Sequence, residues 1–317
     1  MTRGMREGGR VRLRRAGWLG IAVAVACLSA RAPLLGKDPA PVDSTRLDGI
    51  SAYVESYYGR AQSLMVDETV AIQPLGTDLL PDGLARRLSY ELRVEWNPDG
   101  DEPRATFVRQ LMKIGTRAAK PDSEPECLDP KGISPEPLAF LLPGRRGKFV
   151  FNEAGVARLG GRAVTMVDYR PLRDEASSIT AKDGKKDCIE IDMPGRTAGR
   201  VWIDPETSAV LRIDEWLVGM TDVRVPRDLI AKGRWNPYVS VERADSTIRY
   251  QPVKFADPEE TLLLPNLVDT VTVIRANGVQ RLRITQSYRN YRRFVTGGRL
   301  VENGAGLSGP AETESPR

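Results

Sequence analysis

Histidine is absent from this chain of 317 residues. Ser-His-Asp triads, Cys-His pairs and histidine-ligated metal centres are therefore excluded. The chain has only three cysteines, which cannot supply the four nitrogen or sulfur ligands of a structural zinc site. Phosphate loops are also missing, because Gly144-Arg145-Arg146-Gly147-Lys148 lacks the Walker spacing and no Gly-x-Gly-x-x-Gly follows a predicted strand. We expect neither a cofactor nor a metal.

Long apolar runs are scarce, and the one that stands out lies near the N-terminus, from Trp18 to Ala30. Six arginines precede it, and they are Arg3, Arg6, Arg10, Arg12, Arg14 and Arg15. Positive charge followed by an apolar run is typical of an export signal, and this run is shorter than the roughly 20 residues of a membrane-spanning helix. The sequence therefore predicts a signal peptide over residues 1–30 and an exported protein of the periplasm or outer envelope.

Two processing routes for this signal remain open. Cleavage near Leu28-Ser29-Ala30 would release a soluble protein. Lipidation of Cys27, within the lipobox-like Ala24-Val25-Ala26-Cys27, would instead anchor the chain to a membrane. In either case the signal arginines account for the net charge of +5, and the nearly neutral remainder predicts no nucleic-acid binding.

The other two cysteines, Cys127 and Cys188, remain after export into an oxidising compartment. That compartment favours a disulfide between them. The alternative is that both are free and buried.

The body of the chain predicts an α+β fold in a single domain over residues 44–296. A tether over residues 31–43 precedes an amphipathic helix from Ser44 to about Leu64. The hydrophobic period then changes to two, and about eleven strands follow, with Asn277-Gly278 as the strongest hairpin signal. These patterns indicate one large antiparallel sheet with helices on one face. Residues 297–317 lose their hydrophobic side chains and predict a disordered tail.

Two insertions interrupt the predicted strands. Residues 116–137 form a long excursion rich in Pro, Lys and Glu that contains Cys127, and loops of this length inside a domain are often functional. A short apolar helix is predicted directly after it, over Pro137–Leu142, and a second near Pro226–Gly233.

An acidic cluster in the stretch GRVWIDPETSAVLRIDEW, residues 199–216, resembles a carboxylate site at first sight. Strand alternation places Val201, Ile203, Leu211 and Ile213 on one face and Asp214 on the other. Asp204 before Pro205 suits the first position of a turn, where its carboxylate accepts backbone N–H groups. We therefore interpret the cluster as a turn between two half-buried strands.

The phrase Gly199-Arg200-Val201-Trp202-Ile203-Asp204-Pro205-Glu206-Thr207, followed by Val210-Leu211-Arg212, resembles the periplasmic lipoprotein-carrier superfamily (LolA/LolB-like). The closing segment from Gln286 to Phe294 resembles the last strand of exported bacterial proteins of that type. The resemblance extends from about Ser44 to Phe294. It implies an incomplete β-barrel whose concave apolar face shelters acyl chains beneath helical lids.

Under this resemblance the ligand-binding candidates fall into two groups. The expected lining residues are Val201, Ile203, Leu211, Ile213, Val271, Val273, Leu282 and Ile284. The expected cover residues are Tyr53, Tyr57, Phe140 and Leu141. Each buried methylene of an acyl chain gains about 0.8 kcal/mol on leaving water. The sequence leaves open whether these side chains surround a cavity or fill a core.

Three functions are consistent with these patterns. The first is a non-enzymatic envelope protein that binds a lipid or acylated ligand. The second is an envelope scaffold or sensor that binds another protein through a sheet edge or the excursion. The third is a hydrolase that uses a carboxylate pair without histidine.

Overall fold

The computed structural model describes residues 40–61, 63–97, 104–120, 126–130, 137–181, 188–231 and 235–293. Cys27, the predicted signal peptide, most of the tether and the predicted disordered tail lie outside these residues and stay predictions. None of the helices in the described ranges is long and apolar enough to cross a membrane.

The N-terminal half of the domain contains one long helix and six strands. The elements are α1 (Ser44–Arg60), β1 (Leu64–Pro74), β2 (Arg86–Asn97), β3 (Arg104–Ile114), β4 (Arg117–Ala118), a 3-10 helix (Ala139–Leu141), α2 (Pro143–Arg146), β5 (Phe149–Leu159) and β6 (Arg162–Pro171). The Asp43 carboxylate accepts the Thr45 N–H at 3.3 Å and caps α1. The helix ends four residues before its predicted end at Leu64, because Leu64 already begins β1.

The C-terminal half is almost entirely strand. Its elements are β7 (Ser178–Ala181), β8 (Ile189–Asp192), β9 (Thr197–Ile203), β10 (Val210–Leu217), β11 (Thr221–Arg224), α3 (Arg227–Ile230), β12 (Tyr238–Ala256), β13 (Glu259–Arg275) and β14 (Val279–Arg293). The hairpin predicted at Asn277-Gly278 joins β13 to β14 as expected. The sequence pattern predicts these two strands over Ser246–Phe255 and Asn266–Arg275, but β12 already begins at Tyr238 and β13 at Glu259.

In the described residues, twelve strands form one antiparallel sheet that curves without closing into a barrel. Along the sheet the order is β4-β3-β2-β1-β14-β13-β12-β10-β9-β6-β5, and β11 pairs with β12. β7 and β8 form a separate hairpin. The predicted α+β class with a large curved antiparallel sheet is confirmed.

The face of the sheet that carries α1 is called the inner face. Ile50, Val54 and Tyr57 of α1 pack there against Val201 and Ile213, which have no or almost no exposure to solvent. Leu138 and Leu141 complete the same cluster. A second, smaller cluster on this face contains Val70, Ile72, Leu88, Tyr90 and Leu282.

Gly199 permits a close approach inside the main core. A Cβ atom at this position would lie 2.5 Å from the Tyr169 ring and 2.6 Å from the Asp214 carbonyl oxygen. Tyr169 is fixed there because its ring stacks on Phe140 at 4.2 Å and its hydroxyl donates to Glu215 at 2.6 Å.

We expect Gly199→Ala to lower the free energy of unfolding by about 1–3 kcal/mol, because Tyr169 must move to admit the methyl group. Urea unfolding of the purified protein measures this loss. Gly147→Ala is the matched control, since a Cβ atom at Gly147 meets no atom within 4 Å. An equal loss in both variants would contradict the packing explanation.

Candidate functional site

A groove of about 700 Å³ lies on the inner face, and none of the described residues that line it belongs to the main core. Its floor is formed by side chains of β12, β13 and β14, namely Val241, Ala244, Thr272, Ile274, Leu282 and Ile284. The turn over residues 276–280 and Trp235 close one end. The lining is mainly apolar, and its volume falls within the range of about 300–1,000 Å³ that is typical of small-molecule sites.

The cover of the groove consists of two segments that are distant in sequence. Residues 127–130 come from the predicted excursion, and Cys188, Ile189, Ile191 and Met193 come from β8 and its flanks. The predicted disulfide between Cys127 and Cys188 is present and joins these segments, with their Cα atoms 5.1 Å apart. The disulfide is therefore part of the groove wall.

Two arginines on the sheet hold the first cover segment in place. Arg86 of β2 donates to the Asp129 carboxylate at 3.2 Å, and that carboxylate also accepts the Glu126 N–H at 2.9 Å. Arg109 of β3 donates to the Pro130 carbonyl oxygen. The loop is thus tied to the sheet by polar contacts on one side and to β8 by the disulfide on the other.

Arg109 belongs to a buried polar cluster between the two apolar clusters. Its guanidinium donates to both carboxylate oxygens of Glu68, at 2.7 and 2.9 Å. Gln286 and the Tyr288 hydroxyl donate to the same carboxylate at 2.8 and 3.2 Å. The Glu68 side chain has no exposure and that of Arg109 only 11%, so the pair depends on these contacts to offset the cost of burying charge.

Of the twelve predicted ligand-binding residues, two line the groove, and these are Leu282 and Ile284. The main core contains Val201, Ile203, Ile213, Tyr57 and Leu141, and Tyr53 and Phe140 pack against it. These seven side chains therefore fill a core and do not surround a cavity.

Three of the predicted lining residues are placed differently because of sheet geometry. A β-bulge between Val210 and Arg212 puts Val210, not Leu211, on the core face beside Ile203. Val271 and Val273 lie opposite Arg283 and Arg281, whereas Thr272 lies opposite Leu282. Since directly opposed residues share a face, Val271 and Val273 lie on the outer face.

The acidic stretch has the turn structure that the sequence predicts. The Asp204 carboxylate accepts the N–H groups of Glu206 and Thr207, at 3.0 and 3.1 Å. Asp214, on the outer face, accepts from Trp202 at 2.7 Å and from Arg212 at 2.8 Å.

The sequence analysis did not assign Glu215 to the inner face. The structure places it there, beside Tyr169, because it alternates with Asp214 along β10. Burial raises the pKa of its carboxyl, and the hydrogen bond from Tyr169 acts in the opposite direction. Burial, together with the nearby Glu215 charge, also raises the pKa of Tyr169. Tyr169 belongs to the main core, and Glu215 is a partly buried partner at its edge.

Sequence comparison finds no relatives: no protein-family model and no curated protein matches the chain. Structure comparison finds similar folds. A DUF1329 family protein from Desulfovibrio piger has a TM-score of 0.40 and 10% identity, and the alignment covers 82% of this chain and 95% of that one.

Two further structures are similar to a comparable degree. An outer membrane lipoprotein-sorting protein domain from Vibrio parahaemolyticus has a TM-score of 0.38 and 7% identity, with 80% and 93% coverage. A LolA superfamily protein from Nitrosomonas europaea has a TM-score of 0.37 and 8% identity, with 79% and 94% coverage. At this identity and TM-score, nothing about the ligand of this chain follows from them.

Proposed function

We propose that the chain is a non-enzymatic, exported envelope protein that binds the acyl chain of a lipid or acylated ligand in the groove beneath the disulfide-linked cover. The apolar groove of about 700 Å³ is the observation that carries this proposal. The ligand-binding role predicted for Leu282 and Ile284 is part of it. The charged-then-apolar N-terminus supports export, and the disulfide is consistent with an oxidising compartment.

The floor of the groove suits a hydrocarbon chain better than a polar ligand. Ala244, Thr272 and Ile274 offer a strip of small and aliphatic side chains beside Leu282 and Ile284. Among the described residues, Asp129 is the one carboxylate in the lining, and it is buried and bound by Arg86. An acyl chain needs no partner for hydrogen bonds, so burial of its methylenes supplies the binding energy.

Blocking the groove tests this proposal. We expect Ala244→Trp to weaken binding of a fluorescent fatty acid by about tenfold or more, because an indole that displaces two methylenes removes about 1.6 kcal/mol. A titration followed by fluorescence measures the dissociation constant, and mass spectrometry of an organic extract identifies lipid that co-purifies.

Ala163→Trp is the matched control, because Ala163 is an exposed residue of β6 and does not line the groove. The proposal is wrong if the wild-type protein binds no fatty acid and its extract contains no lipid. Recovery of a specifically cross-linked envelope protein in that case would favour the scaffold alternative.

A further inference from the structure

The loop between β1 and β2 presents leucines to solvent. It covers residues 75–85, with the sequence Leu-Gly-Thr-Asp-Leu-Leu-Pro-Asp-Gly-Leu-Ala. Leu84 is 95% exposed and Leu80 is 62% exposed. Exposed leucines this close together at the tip of a loop are a feature of surfaces that bind an apolar partner.

The part of the loop around Leu80 has a defined backbone. Inside it the Gly76 N–H donates to the Leu80 carbonyl oxygen at 2.9 Å, and the Asp82 N–H donates to the Pro74 carbonyl oxygen at 2.9 Å. The Asp78 carboxylate accepts the Leu80 N–H at 3.0 Å. Leu79 has a φ of 62°, in the left-handed region that a non-glycine residue rarely adopts. A defined backbone therefore directs Leu80 outward.

The loop lies beside the groove. The Leu75 N–H donates to the Arg281 carbonyl oxygen at 3.0 Å, and Gln280 and Leu282, the neighbours of Arg281, both line the groove. On the other side the loop leads into Arg86, which binds Asp129 of the cover. Leu128 of the same cover is itself 42% exposed. Arg86 and Leu75 thus connect the loop to the cover and to the floor of the groove.

Four cationic residues lie on strand segments next to the loop. These are Arg87, Lys113, Arg117 and Arg281, and the described part of the chain shows no ion pair for any of them. Arg86, which follows the loop directly, is paired with Asp129 and Glu126. The loop itself carries two carboxylates, Asp78 and Asp82, and the first is engaged by the Leu80 N–H. The local excess of positive charge favours an anionic surface.

We propose that the β1–β2 loop docks the protein on a lipid bilayer with anionic headgroups, with Leu80 and Leu84 inserted among the acyl chains. The two leucines form too small a surface for a stable protein interface, which needs about 800 Å² from each partner. Insertion into a bilayer requires no such area, because each leucine gains by leaving water. Docking in this way brings the groove next to the lipid.

Co-sedimentation with vesicles tests the docking. The exported protein, purified from the producing cells, is mixed with phosphatidylethanolamine vesicles with or without phosphatidylglycerol. We expect the wild-type protein to bind more tightly when phosphatidylglycerol is present. Leu80→Glu/Leu84→Glu should raise the lipid concentration for half-maximal binding by about tenfold or more.

Val156→Glu/Leu172→Glu is the matched control, because it also replaces two exposed hydrophobic side chains, both away from the loop. This control should bind as the wild type does. Every variant keeps the same processed N-terminus, so binding through residues 1–39 is common to all. Unchanged binding of the Leu80→Glu/Leu84→Glu variant, or an equal loss in the control, overturns the proposal, as does a wild-type protein that binds no vesicles.

The docking and the ligand binding are separable in the same assay. Docking does not require an occupied groove, so Ala244→Trp should bind vesicles as the wild type does while losing the fatty acid. Leu80→Glu/Leu84→Glu should bind the fatty acid as the wild type does while losing vesicle binding.

Discussion

Removal of the Cys127–Cys188 disulfide should lower the free energy of unfolding by about 2–4 kcal/mol and weaken ligand binding in the groove. The two cysteines are separated by 61 residues. The chain-entropy treatment gives about 3 kcal/mol for a 15-residue loop and about 4.7 kcal/mol for a 100-residue loop. Urea unfolding of Cys127→Ser/Cys188→Ser measures the loss.

The effect on binding has a separate cause. Residues 127–130 and β8 are the two halves of the groove cover, and the disulfide is the covalent link between them. Without it the first half is held by the contacts of Arg86 with Asp129 and Arg109 with Pro130. We therefore expect faster dissociation of a bound fatty acid, measured by stopped-flow displacement.

Reducing agent provides the control for both effects. It should bring the wild-type protein to the stability and the dissociation rate of the double serine variant, and it should leave that variant unchanged. A wild-type protein whose urea midpoint is the same with and without reductant would contradict the prediction.

Arg109→Met should lower the free energy of unfolding by about 3–5 kcal/mol, because it leaves the buried Glu68 carboxylate without its bidentate partner. The remaining donors, Gln286 and Tyr288, are neutral and cannot compensate the charge. The measurement is the same urea unfolding, at a pH near neutrality.

Arg292→Met is the matched control for this prediction. Arg292 pairs with Asp67 at 2.8 Å, and both side chains are about half exposed. Solvent screens such a pair, so its loss should cost less than about 1 kcal/mol. In the double variant Glu68→Leu/Arg109→Met both charges are removed, and stability should recover relative to Arg109→Met. If the two single arginine variants lose the same stability, the buried pair is not the cause.

Most strands and turns of the fold could be predicted from local sequence patterns. Asn277-Gly278 defined the β13–β14 hairpin, because few other residue pairs allow so tight a turn. The Asp204 turn was equally readable, since its hydrogen bonds join residues two and three positions apart. The first part of β13, from Glu259 to Pro265, was missed, because its pairing with β12 lies beyond a register shift between Arg249 and Tyr250 that no period of two reveals.

The buried Glu68–Arg109 pair gave no signal in the sequence. Glu68 lies in β1 and Arg109 in β3, 41 residues apart, and Gln286 and Tyr288 come from β14, 218 and 220 residues from Glu68. The pair exists because β2 alone separates β3 from β1 in the sheet, and the Arg109 guanidinium crosses β2 over the Tyr90 ring, 3.6 Å from its centroid. Gln286 and Tyr288 reach Glu68 from β14, the neighbour of β1 on the other side. Long-range strand order of this kind follows from packing and not from local pattern.

The sequence by itself determined the absence of histidine chemistry, the α+β class and the turn at Asp204, because each depends on composition or on neighbours in the chain. It left open whether Cys127 and Cys188 pair, which the structure decided by placing their Cα atoms 5.1 Å apart. Only the tertiary structure decided where an apolar groove lies. Val201 and Leu282 are both aliphatic strand residues, yet α1 covers the first and the second lines the groove. Alternation identifies the side chains that point inward, but the elements that cross the inner face determine whether they meet a core or a groove.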